Sequence, residues 1–128
     1  MSNKVLIIDD DADFAEAITV LLDAKGYSVV YARDGEEGCR LAKGENPDII
    51  LLDVMMSQRT EGFDVARKLH EDPDLKSIPV IMITGIRSDM NLPFGFEPNE
   101  EWLNVKALLE KPIKSEVLLK TVEQHIRK

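Results

Sequence analysis

The run Ile49-Ile50-Leu51-Leu52, introduced by Pro47-Asp48 and closed by Asp53, constrains this chain more than any other stretch. Four consecutive branched apolar residues after a turn signal read as a strand buried on both faces of a parallel sheet, where neither side calls for a polar residue. The strand ends on a carboxylate. In open α/β sheets the carboxyl edge of the strands is where ligands bind, and a charged group there is costly unless something compensates it. Taken alone, Asp53 reads as a loop or helix-cap aspartate. What converges on it decides its meaning.

The rest of the chain repeats one pattern. Lys4 to Ile8 (KVLII) reads as a first strand, ending in Asp9, Asp10 and Asp11. A helix over Ala12 to Lys25 follows, with Phe14, Ile18, Leu21 and Leu22 on one face. Asp11 is its N-cap, Asp13 lies in its first turn and Gly26 is its stop. Tyr27 to Ala32 is a second strand and Glu36 to Lys43 a second helix, which Asn46-Pro47 ends. After the central strand come a helix over Phe63 to His70 and a strand over Ile78 to Ile83, which leads into Thr84-Gly85. Pro93, Gly95 and Pro98 make Ile86 to Pro98 irregular, with a short helix expected over Asn99 to Leu103. Val105 to Leu109 is a fifth strand, leading to Glu110-Lys111-Pro112, and Ser115 to Arg127 is a last helix.

Strand and helix alternating five times predict a doubly wound parallel sheet with helices on both faces. Right-handed crossovers put all five carboxyl ends on one edge. Four of those ends carry distinctive groups: Asp9-Asp10, Asp53, Thr84 and Lys111. The second strand ends without one.

Composition narrows the function. At 128 residues the expectation is one domain, residues 1–128, with no output domain. The net charge of −8 argues against a phosphate-binding nucleic-acid protein and against docking on anionic lipid. Cys39 is the single cysteine and reads as a structural thiol, and His70 and His125 read as solvated. No apolar run approaches membrane-spanning length, and the first residues meet three acids too soon for a signal peptide, so a cytoplasmic location is expected. Trp102 reads equally as a local core plug or as a partner anchor.

Three carboxylates at one place stay ionised together only around a cation. All-oxygen ligation suits Mg²⁺. With a hydroxyl, a backbone N–H and an ammonium opposite, the edge has the equipment for phosphoryl transfer. One carboxylate can be the nucleophile.

The pieces VLIIDDD, PDIILLDVMM, EGFDVARKL, IPVIMITG and LEKPI, in this order and at strand ends, resemble a response-regulator receiver domain over essentially the whole length. The resemblance implies a flavodoxin-like sheet of strand order 2-1-3-4-5. It implies Asp53 as phosphoacceptor, with Asp9, Asp10, Asp53 and the backbone carbonyl of Met55 around Mg²⁺. Thr84, Gly85 and Lys111 would be the phosphoryl-binding and switch residues, supported by Pro112. The partners it implies are a sensor histidine kinase or phosphotransfer protein, or a small acyl phosphate as donor, and a downstream protein the sequence does not name.

The chain departs from the family's pattern at Ser57, where a proline is usual, and in a longer loop from Ser57 to Glu61. It departs again in a longer segment between Thr84 and Lys111, and at Leu108, where an aromatic is usual. These departures bear on the output surface and leave the phosphorylation site intact. Met55 and Ile86, two residues after Asp53 and Thr84, flank the expected path of attacking water. Both are apolar, which predicts a long-lived phosphorylated form.

Three alternatives remain beside this reading. A haloacid-dehalogenase-type phosphatase also uses a strand-end aspartate, but its Asp-x-Asp-x-Thr/Val motif is incomplete here. A flavodoxin needs a hydroxyl- and glycine-rich phosphate loop where this chain has three aspartates. A degenerate receiver acting only as an interaction module does not need the intact Asp/Asp/Asp/Thr/Lys set.

Overall fold

The computed structural model describes residues 3–53, 61–84, 105–110 and 113–126, with the backbone alone for residues 61–64, 66, 84, 105, 106, 108 and 110. In chain order the elements are β1 (Lys4–Ile8), α1 (Ala12–Ala24), β2 (Ser28–Ala32), α2 (Gly35–Glu45), β3 (Ile49–Asp53), α3 (Glu61–Glu71), β4 (Val80–Thr84), β5 (Val105–Glu110) and α4 (Ser115–His125). The strands form one parallel sheet in the order β2-β1-β3-β4-β5. This is the flavodoxin-like arrangement that the family resemblance implies. The expected irregular stretch Ile86–Pro98 and the short helix Asn99–Leu103, with Trp102, lie outside the described residues.

β3 sits at the centre, and all five of its residues are buried. Burial of Ile49, Ile50, Leu51 and Leu52 contributes roughly 6–12 kcal/mol gross, before the entropy of ordering is set against it. Strand alternation sends Ile50 and Leu52 to a core shared with Ala42 of α2 and Val65 and Leu69 of α3. Ile49 and Leu51 face a second core, with Ile18 and Leu22 of α1 and Leu118 and Val122 of α4. The sheet is therefore a shared wall between two cores.

Helix ends follow local chemistry. Asp11 caps α1, its carboxylate accepting the Phe14 N–H at 3.1 Å, as the sequence predicts. Gly26, at φ +90°, closes that helix, and the Tyr27 N–H returns to the Leu22 carbonyl at 3.1 Å. α2 runs two residues beyond the expected Lys43. Asn46 adopts the left-handed conformation at φ 48° and ends the helix there. β4 begins two residues later than expected. The Ile78 N–H is spent on a turn to the Leu75 carbonyl at 3.0 Å, and Pro79 has no N–H for the ladder.

Phe14 and Leu21 share one face of α1 with Ile18 and Leu22, as expected; half-buried against that core, they line an apolar groove beside α1 with Ile113 and with Val20, which is 66% exposed. One reading is corrected: His70 and His125 are half-buried rather than solvated, as α3 packs against α2 and Val122 and Ile126, on either side of His125, join the core with β1, β3 and β4. No helix among the described residues is long and apolar enough to cross a membrane.

Candidate functional site

β1 and β3 are adjacent and parallel, with Ile8 opposite Leu52. The next residue on each strand is an aspartate. The parity that aims Val5 and Ile7 into the α1–α4 core carries on to Asp9, and that of Ile49 and Leu51 carries on to Asp53. Both carboxylates therefore leave the same face of the sheet at the same edge. Asp9 is 1% exposed and Asp53 3% exposed, the only charged side chains so deeply buried among the described residues. Asp10 is exposed beside them. One carboxylate oxygen from each of the three lies within 4.8 Å of the other two.

Such a cluster is electrostatically loaded. Two unit charges about 5 Å apart repel by roughly 3 kcal/mol at an effective dielectric near 20. A hard divalent cation offsets that repulsion and accepts only oxygen ligands, so the donor set fits Mg²⁺. The cluster is also pre-built. The Asp11 N–H donates to Asp9 Oδ1 at 2.8 Å, and the Asp9 N–H extends the β1–β2 ladder to the Ala32 carbonyl at 3.0 Å.

β2 supplies more than the sequence shows. Its end is not bland: the Tyr31 hydroxyl donates to the Asp9 carbonyl at 2.7 Å. Burial first, and then the charge of Asp9, push the Tyr31 phenol above its usual value near 10. Arg33 opposes this, and Asp10 and Asp11 add to it. The available signal was weak. Tyr31 pairs in register with Ile7, two residues short of Asp9, but nothing in a sequence says which way a tyrosine hydroxyl points.

The other expected site residues are placed in part. Thr84 ends β4, its backbone paired in register with Glu110 of β5, at the same edge as Asp53. Gly85, Met55, Lys111 and Pro112 lie outside the described residues.

The profile of the response regulator receiver domain family matches residues 5–123. The chain belongs to that family. It is similar to Protein PilH of Pseudomonas aeruginosa, with 32% identity over 119 residues that cover 93% of each chain. It is also similar to the DNA-binding dual master transcriptional regulator RpaA of Synechocystis, at 33% identity over 98% of this chain, which spans about half of RpaA (49%). Among solved structures, the chemotaxis protein CheY4 of Vibrio cholerae superposes with a TM-score of 0.82 at 29% identity, covering 98% of this chain and 100% of the other. The signal receiver domain of a signal transduction histidine kinase from Syntrophus aciditrophicus superposes with a TM-score of 0.77 at 27% identity, covering 96% and 89%. As a receiver, the protein is a phosphorylation-controlled signalling switch.

Proposed function

We propose that Asp53 is the phosphoacceptor of this receiver, and that Asp9 and Asp10 hold Mg²⁺ beside it. The observation that carries this reading is the convergence of three carboxylates at the sheet edge, two of them buried. An Asp53 carboxylate oxygen attacks the phosphorus of a phosphohistidine or a small acyl phosphate. The new O–P bond forms as the bond to the imidazole nitrogen or to the acyl oxygen breaks, and the leaving group departs with the electron pair. When bound, the cation supplies charge neutralisation for the phosphoryl oxygens.

Asp9 and Asp10 orient the acceptor's surroundings and keep the edge acidic until the cation is held. The backbone carbonyl of Met55 completes the oxygen set. Thr84 and the N–H of Gly85 bind the phosphoryl oxygens. Lys111 pairs with their charge, with Pro112 fixing the chain after it. The phosphorylated form changes the binding of a downstream protein.

The donor is a sensor histidine kinase or a phosphotransfer protein, a reading supported by the likeness to a kinase-borne receiver domain. Residues 1–128 act as one receiver unit in the cytoplasm, without direct nucleic-acid contact. The net charge of −8 supports that last point.

Incubation with acetyl phosphate and Mg²⁺, followed by intact-mass measurement, tests the assignment. A single phosphoryl adduct is expected in the parent. It should be absent in Asp53→Asn and absent in excess chelator. Equal labelling of Asp53→Asn would overturn the assignment of the acceptor.

A further inference from the structure

β2 grips Asp9 by both of its backbone groups. The Asp9 N–H donates to Ala32 at 3.0 Å, and the Asp9 carbonyl accepts from the Tyr31 hydroxyl at 2.7 Å. The first bond continues the ladder between β1 and β2. The second comes from a side chain, and it acts where the ladder has run out. The Asp9 carbonyl lies in the same rigid peptide plane as the Asp10 N–H and Cα. Fixing that oxygen fixes the plane from which the Asp10 side chain projects. On the far side of Asp10, the Asp11 N–H is tied to Asp9 Oδ1 at 2.8 Å, and Asp11 caps α1. Asp10 is thus an exposed carboxylate on a backbone anchored both before and after it.

We propose that the Tyr31 hydroxyl is a positioning group for the cation site: it clamps the Asp9–Asp10 peptide so that the Asp10 carboxylate faces Asp9 and Asp53 before any cation arrives. The proposal rests on the reading of these carboxylates as the Mg²⁺ site.

Repulsion gives the clamp its purpose. Without it, the least buried member of the cluster is the one free to swing toward water, and binding a cation must then reorder it. A pre-ordered site binds more tightly because that cost is already met. The phenol suits the task. Its O–H is a donor, and the Asp9 carbonyl can only accept. Its ring packs against the core shared by α1 and α4, which gives the hydroxyl a firm base.

Tyr31→Phe removes the hydroxyl and keeps the ring. Mg²⁺ binding is measured by calorimetry, and acetyl phosphate labelling is followed as a function of Mg²⁺ concentration. The half-saturating Mg²⁺ concentration should rise about 5- to 10-fold, the scale of one lost hydrogen bond behind a metal ligand. The rate at saturating Mg²⁺ should stay close to the parent's, since the bound cation then holds Asp10 in place. The amide signals of Asp10 and Asp11 should broaden in metal-free Tyr31→Phe and sharpen on adding Mg²⁺. Val29→Ala, a packing loss on the same strand and in the same core, should lower the melting temperature without moving half-saturation.

Unchanged half-saturation in Tyr31→Phe would overturn the proposal, and so would an equal rise in Val29→Ala. A parent that needs no Mg²⁺ would overturn the site assignment itself, and the clamp with it.

Discussion

Gly38 offers the sharpest test of how α2 is held on the sheet. A Cβ at this position would lie 2.6 Å from Ile8 Cδ1, 2.8 Å from Cγ1 and 3.0 Å from Cγ2. Ile8 cannot step aside easily. It is fully buried, its β-branched side chain has few rotamers, and its backbone is paired on both sides, with Ala32 and with Leu52. Overpacking of this kind costs about 1–3 kcal/mol. With two contacts below 3 Å against an immobile neighbour, the upper part of that range applies. Against it stands the gain of about 1 kcal/mol from replacing glycine by alanine inside a helix. Gly38→Ala should therefore destabilise the protein by about 1–2 kcal/mol, read as a lower urea midpoint with an unchanged slope. Ile8→Val removes Cδ1, the nearest of the three atoms. In a double-mutant cycle it should recover part of the Gly38→Ala loss. A Gly38→Ala protein as stable as the parent, or more stable, would show that the helix shifts freely and that contact with Ile8 does not set its height.

Two further outcomes are expected. Asp72 accepts the Asp74 N–H at 2.8 Å and pairs with Lys43 at 3.2 Å; the backbone bond is the chief cause that holds its carboxyl below the usual value near 3.8, burial opposes it, and Lys43 adds to the lowering. A lowered folded pKa gives stability that is present above the unfolded value and lost as pH falls through the folded one, so Asp72→Ala should cost more stability at pH 7 than near pH 2, and an equal cost at both pH values would refute this. From the sequence alone, the apolar Met55 and Ile86 predict slow loss of phosphate, so the Met55→Asn, Ile86→Glu double variant should lose its phosphoryl group faster than the parent, and an unchanged or slower decay would show that these side chains do not set the lifetime.

What could be read in advance was whatever depends on period and on end chemistry. Ile49 to Leu52 announce a strand buried on both faces, and Asp11 announces a helix cap; both stand as expected. Alternation and handedness put the strand ends on one edge, the receiver resemblance supplies the strand order, and the meeting of Asp9, Asp10 and Asp53 follows from that order. Boundaries were less legible where a single backbone group decides them. Asn46-Pro47 marks the stop of α2, yet nothing local tells that the helix runs past Lys43 to Glu45, or that Ile78 belongs to a turn instead of β4. Tyr31 was missed for a different reason. Its part depends on the direction of one hydroxyl across two strands, and a pattern of apolar residues holds no information on that.

The two-sided wall formed by β3 also sets where this chain tolerates a change in length. Deleting one residue within Ile49–Asp53 would exchange the cores that Ile50 and Leu51 serve and would turn Asp53 away from Asp9 and Asp10. Adding residues beyond a strand end disturbs neither parity nor register, and the entropic cost of a longer loop grows only with the logarithm of its length. Freedom to lengthen or shorten is thus confined to the rims of the sheet. The carboxyl rim is where partners and phosphodonors would approach. Lineages of such a chain can remodel whom they meet by inserting sequence there, while the spacing of the three aspartates stays fixed by the strands beneath.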